Sequence, residues 1–191
     1  MKEIFSNVAK KIINILDEDH SCTEIEYMQM LYGIQNILYN VVIIGLILFL
    51  SYIAETFIET LLLFTFFGML RIIAGGYHCN SIEKCLAATT LIMVGGGKLV
   101  QSIQINLPTC IIVCILVNIA FFSYTPKGTH NNPYSPEYSI KQHKRLKKIS
   151  VILTIISIFS NSILRGAIVY SMAVVAILLF PTIKRKSPIP E

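Results

Sequence analysis

A chain of 191 residues that is 54% hydrophobic and only 14% charged, with a mean hydropathy of +0.65, falls outside the range of soluble domains, in which about a quarter of residues carry charge. The composition reads as an all-α, polytopic membrane protein, and at about 20 residues per span the length admits one helical bundle and little else. The net charge of +5 comes from 16 basic and 11 acidic residues, which poses the question of sidedness; a nucleic-acid partner is not expected.

In chain order, Ile4, Phe5, Val8, Ile12, Ile15 and Leu16 recur at spacings of three and four with Lys10, Lys11 and Asn14 between them. That pattern predicts an amphipathic helix over residues 1–22, either lying in the membrane interface or docking a partner, or covering the base of the bundle itself. It lacks the sustained apolar core and small-residue cleavage site of a secretory signal, so the internal spans are expected to direct insertion. After DEDHSCTE, Thr23 followed three residues later by Glu26 has the form of a capped helix start. From there to residue 183 the chain is read as the membrane domain, and 184–191 as a basic tail.

Spans are predicted at about 37–54, 56–70, 82–100, 107–124, 149–164 and 167–180. Glu55 and Glu59 stand at the first turn, which suits the water interface, although an ionisable group at this depth is also a candidate for an intramembrane role. Gly95, Gly96, Gly97 and Lys98 lack the remaining elements of a phosphate loop, and close helix packing or a helix end is expected there. Cys110 and Cys114 are one turn apart without further ligands nearby, so packing is expected rather than a metal site. The five cysteines, at 22, 79, 85, 110 and 114, are odd in number and lack extracellular spacing, so no disulfide framework is expected.

Between the second and third spans lies RIIAGGYHCNSIEKC, residues 71–85, a polar island broken by glycine. A thiol with a pKa near 8.5 needs a base to become a nucleophile at neutral pH, about where a histidine serves. His78 is the nearest base to Cys85. On one continuous helix their backbones would stand about 10 Å apart along the axis, too far for a hydrogen bond. The helix must therefore start between them, with Gly75 and Gly76 permitting the chain to fold back and Asn80 and Glu83 resembling a cap. His130 and His143 are competing bases without a neighbouring cysteine. Cys79 is a competing nucleophile, but side chains of adjacent residues diverge, which disfavours pairing it with His78.

Arg71, Gly75, Gly76, His78 and Cys85 resemble the signature of the accessory gene regulator B (AgrB) family, integral-membrane cysteine endopeptidases that process a quorum-sensing propeptide. The resemblance implies His78 and Cys85 as the catalytic pair, a thioester on Cys85, and closure of the product to a thiolactone or lactone. It implies no cofactor and no metal. The implied partners are the bilayer, a small AgrD-like propeptide with an amphipathic N-terminal helix, and a second copy of the chain. Gly75, Gly76 and Tyr77 offer backbone donors for an oxyanion, Lys84 favours thiolate, and Arg71 either binds a substrate carboxylate or braces the loop. Asn80, Ser81 and Asn132 are each candidates to orient His78.

Residues 125–148 are predicted to be a long basic loop, with Asn132 and Pro133 as the family's Asn/Pro element and Lys144 and Arg145 in a run that either attracts an acidic part of the substrate or follows the positive-inside rule. With six spans and a cytoplasmic N-terminus, only Lys98 and Arg165 among the 16 basic residues fall on the outer side. Both termini and the 71–85 segment are then cytoplasmic in a bacterial cell membrane. The rival class is a small membrane transporter or scaffold without catalysis, which explains the spans but leaves the glycine-histidine-cysteine cluster unused.

Overall fold

Capping residues set where the helices begin. The computed structural model describes residues 2–16, 23–75, 82–123 and 135–184, and all of its regular structure among them is helical. Helices α1 (Lys2–Leu16) and α2 (Glu24–Ile53) come first. Thr23 and Glu26 close the expected capping box: the Glu26 carboxylate accepts from Thr23 N–H at 2.9 Å, and the Thr23 hydroxyl accepts from Glu26 N–H at 3.4 Å. Asn106 caps α6 (Leu107–Ser123), Ser135 caps α7 (Pro136–Phe159) and Asn161 caps α8 (Ser162–Lys184), each accepting the N–H three residues on. Helix α3 is Phe57–Ala74, and α4 (Ile82–Thr90) runs through a π-helical turn at Leu91–Gly95 into α5 (Gly96–Ser102).

The chain divides into two compact units, 1–49 and 50–191, and the division falls within α2. In the first unit Ala9 and Ile13 of α1 are buried, and the Phe5 ring meets the Tyr39 ring with centroids 4.4 Å apart. Most of α2 bears exposed apolar side chains, among them Ile37, Val41 and Phe49, as expected of a helix solvated by lipid.

In the second unit α8 is the central helix, in contact with α3, α5, α6 and α7. Its Ile168, Met172, Val175 and Leu179 meet Leu70 and Ala74 of α3, Phe121 of α6, and Leu146 and Leu153 of α7 in one core. Two sets of contacts orient this unit. The start of α3, the end of α5, the segment before α6, the end of α7 and the start of α8 meet at one end. There Gln101 donates to the Glu55 carbonyl at 3.1 Å, and the Arg165 guanidinium donates to the carbonyls of Ser160, Ser157, Ile105 and Ile158 at 2.9, 3.1, 3.3 and 3.4 Å. Because the helices alternate in direction, the end of α3, the start of α4, the end of α6 and the start of α7 lie at the other end, where Lys147 sits over the Phe122 ring at 5.4 Å.

Three helices, Glu24–Ile53, Phe57–Ala74 and Ser162–Leu179, are long and apolar enough to cross a membrane, and Leu107–Ser123 is a shorter apolar helix. The protein is a helical membrane protein, and its helical segments fall where the six spans were expected. Two boundaries are corrected. The fifth expected span, 149–164, is cut at Ser160 and Asn161, because Asn161 starts a new helix and Arg165 gathers the carbonyls left at the end of α7. The expected loop 125–148 is helical from Pro136 onward, because Ser135 and Pro136 start a helix whose Gln142, Leu146, Ser150, Leu153 and Ser157 form one buried stripe.

Polar groups inside the bundle satisfy one another locally. Asn118 of α6 donates to the Cys114 carbonyl at 2.8 Å and to the Thr154 hydroxyl of α7 at 2.9 Å. Cys110 and Cys114 are buried against Val169, with their sulfurs 3.4 and 3.7 Å from the Ser157 hydroxyl, in the packing role expected of them. Glu55 is exposed, whereas Glu59, in the first turn of α3, is only 8% exposed.

Candidate active site

The island between α3 and α4 is entered through a turn that only glycine makes without strain. Gly75 has φ 66° and ψ −135°, a conformation that a β-carbon disfavours. Arg71, in the last turn of α3, holds that turn at both ends. Its carbonyl accepts the Gly75 N–H at 2.9 Å, and its guanidinium donates to the Gly75 carbonyl at 2.7 Å, a charge-assisted bond. The bond to Gly75 is consistent with the bracing role named for Arg71 from its sequence position, and leaves the carboxylate-binding role open.

The described residues resume at Ile82, the first residue of α4 (Ile82–Thr90). Cys85 is its fourth residue, a free thiol that is neither fully buried nor fully exposed. Lys84 precedes it on the same turn, with a side chain outside the described set. Gly76, Tyr77, His78, Cys79, Asn80 and Ser81 lie outside the described residues, as do His130, Asn132 and Pro133. Lys144 and Arg145 are exposed on α7 and, with Lys141 and Lys148, succeed one another at helical spacing along one face at the same end of the second unit as Cys85. His143, the competing base, is half-buried on α7.

Several features escaped the reading of the sequence. The hydroxyl of Tyr170 on α8 donates to the carbonyl of Ile92, inside the π turn downstream of Cys85, at 3.1 Å. Gly96 and Gly97 do mark close packing, but their partners, Tyr170 and the Thr56 and Thr60 pair, lie on other helices and leave no local signal. Among the described residues no group of three or more metal-binding side chains occurs.

The family model described as accessory gene regulator B matches residues 7–184. The chain belongs to that family. Among its relatives, Protein FsrB of Enterococcus faecalis (strain ATCC 47077 / OG1RF) is 27% identical over 143 residues, covering 73% of this chain and 58% of the relative. This chain thus spans little more than half the length of that protein. The accessory gene regulator protein B of Staphylococcus aureus (strain MRSA252) is 26% identical over 178 residues, 93% of this chain and 95% of the relative. A putative AgrB-like protein of Clostridium acetobutylicum is 26% identical over 152 residues, covering 78% and 71% of the two chains. No solved structure matches. Membership supports the quorum-sensing role that the signature implies, and within AgrB proteins this chain supplies a described geometry for the Arg71, Gly75 and Cys85 part of that signature.

Proposed function

We propose that this AgrB protein is a membrane-embedded cysteine endopeptidase that cleaves the C-terminal part of a quorum-sensing propeptide and closes the remaining peptide into a ring. The observation that carries the reading is the placement of a free, half-buried thiol, Cys85, in the opening turns of a helix that succeeds the glycine turn braced by Arg71. A structural cysteine is ordinarily buried and inert, whereas a nucleophile needs partial access to its substrate.

On this reading His78 takes the proton of Cys85 as its sulfur attacks a peptide carbonyl. The C–N bond then breaks, His78 gives the proton to the leaving amine, and the C-terminal fragment departs, leaving a thioester. An internal thiol or hydroxyl of the bound peptide displaces Cys85 from the acyl carbon and closes the ring, returning the thiol. Thioester exchange is nearly balanced whereas hydrolysis runs downhill, so a cyclising site must hold the internal nucleophile close and exclude water. A nucleophile at the boundary of a membrane bundle suits that demand.

The distribution of basic residues supports a cytoplasmic site and cytoplasmic termini. The exposed stripe of Lys141, Lys144, Arg145 and Lys148 suits an acidic segment of the propeptide. The acting form is a homodimer in this reading, as the family resemblance implies. The test is co-expression of the chain, or its Cys85→Ala variant, with an AgrD-like propeptide, and mass spectrometry of the peptide products. Cleavage by the parent alone is expected, with a product lighter by one water than the linear fragment. Equal cleavage by the variant would remove the peptidase reading and return the transporter or scaffold class.

A further inference from the structure

The helix that carries Cys85 changes pitch on the way through the bundle. A π turn holds one residue more than an α turn. Because an α-helix advances about 100° per residue, the extra residue rotates α4 by about that angle relative to α5. Helix α5 is itself fixed in place. A β-carbon on Gly96 would stand 2.5 Å from the Tyr170 ring, and one on Gly97 would stand 2.6 Å from the Thr60 hydroxyl. Val100 fills the space over Gly166, 3.1 Å from where a β-carbon there would lie. With α5 keyed into α3 and α8 in this way, the direction in which α4 presents Cys85 depends on the π turn at Leu91–Gly95.

That turn has an identifiable holder. The N–H of Gly96 is shared between the carbonyls of Ile92 and Met93. The Tyr170 hydroxyl adds a donor to Ile92 at 3.1 Å, a part-buried hydrogen bond from α8 to the π turn. The same ring lies where only a glycine at position 96 leaves room for it.

We propose that Tyr170, acting through the carbonyl of Ile92, is a positioning residue for Cys85, and that the π turn is the device that aims the nucleophile. The proposal rests on the peptidase reading for its meaning, but its test does not.

The test uses the full chain in inside-out membrane vesicles, with Cys22, Cys79, Cys110 and Cys114 replaced by alanine so that Cys85 is the one thiol. The rate of Cys85 alkylation by a water-soluble maleimide is measured, with processing of a co-expressed AgrD-like propeptide alongside. Tyr170→Phe keeps the ring and removes the donor. Losing one hydrogen bond of ordinary strength is expected to lower the alkylation rate and kcat by about five-fold, with KM unchanged. Deletion of Leu91, which turns Cys85 by about 100°, is expected to lower both by more than ten-fold. Inserting one alanine between Ala87 and Ala88 in the deletion variant restores the residue count and is expected to recover both. Unchanged alkylation in Tyr170→Phe and in the deletion variant, or a loss of thermal stability without a change in alkylation, would overturn the proposal. So would a compensated variant as impaired as the deletion. If Cys85→Ala still processes the propeptide, the peptidase reading falls, while the alkylation rates still report whether the turn aims Cys85.

Discussion

Replacing Gly75 by alanine tests the part of the site whose geometry is described. At φ 66° and ψ −135° a β-carbon costs about 1–3 kcal/mol, and the chain can relieve this only by rotating the peptide whose carbonyl accepts the 2.7 Å bond from Arg71. Giving up that charge-assisted bond costs about 1.5–3 kcal/mol, so relief is no cheaper than strain. The ratio of braced to unbraced turn should therefore fall by a factor of about 5 to 150. The assay is propeptide processing in vesicles at matched amounts of inserted protein. The control is Gly68→Ala within α3, where a β-carbon meets nothing within 4 Å and helix propensity favours alanine. Processing by Gly75→Ala should fall well below that of Gly68→Ala, in proportion to the loss of the competent turn. Equal processing by the two variants would refute the argument that this turn aims the segment leading to Cys85.

Two further outcomes concern the opposite end of the second unit. Arg165→Ala removes four donors to main-chain carbonyls, of which the two at 2.9 and 3.1 Å are expected to dominate. The loss should be about 3 kcal/mol, read as a fall of about 6–12 °C in the melting temperature of detergent-purified protein; an unchanged melting temperature would count against the carbonyl cap. Gly97→Ala places a β-carbon 2.6 Å from the Thr60 hydroxyl and should destabilise by about 1–3 kcal/mol. Combining it with Thr60→Ala should recover part of the loss in the same melt, and strict additivity would show that the two residues do not meet.

The elements that sequence made legible are those governed by neighbours along the chain. Thr23 with Glu26 announced the start of α2, and the glycine pair after Ala74 announced a turn, because capping and left-handed backbone are local matters. The division of labour in the second half of the chain was less legible. Basic residues between 141 and 148 suggested a solvated loop, yet Gln142 and Leu146 on the opposite side of the same turns are buried and make the stretch a helix. Hydropathy placed the fifth span across Asn161, because a single capping residue between two apolar runs barely alters a window average. The burial of Glu59, 8% exposed, was not readable from its distance from the turn, because burial depends on packing rather than on neighbours along the chain. The π turn left no signal in the local sequence, and the hydroxyl that donates to it stands 78 positions away.

These contacts divide the second unit into an end that fixes and an end that presents. At the fixing end, backbone approaches within van der Waals contact at Gly96, Gly97 and Gly166, and Arg165 ties three segments through their carbonyls. Close-packed interiors resist small displacements, so this end defines a frame against which the rest is measured. At the presenting end, the segment between α3 and α4 leaves α3 through one glycine turn held by one arginine, and the thiol stands four residues into the next helix. A site built in this way separates two demands that compete in a single helix. Stability is concentrated where the glycines lock α5, and the approach to Cys85 runs through a glycine turn that can be altered without unpacking them. Substitutions at the fixing end should accordingly move melting temperature and processing together, whereas changes at Gly75 and Arg71, and loss of the Tyr170 hydroxyl with its ring kept, should move processing more than they move stability.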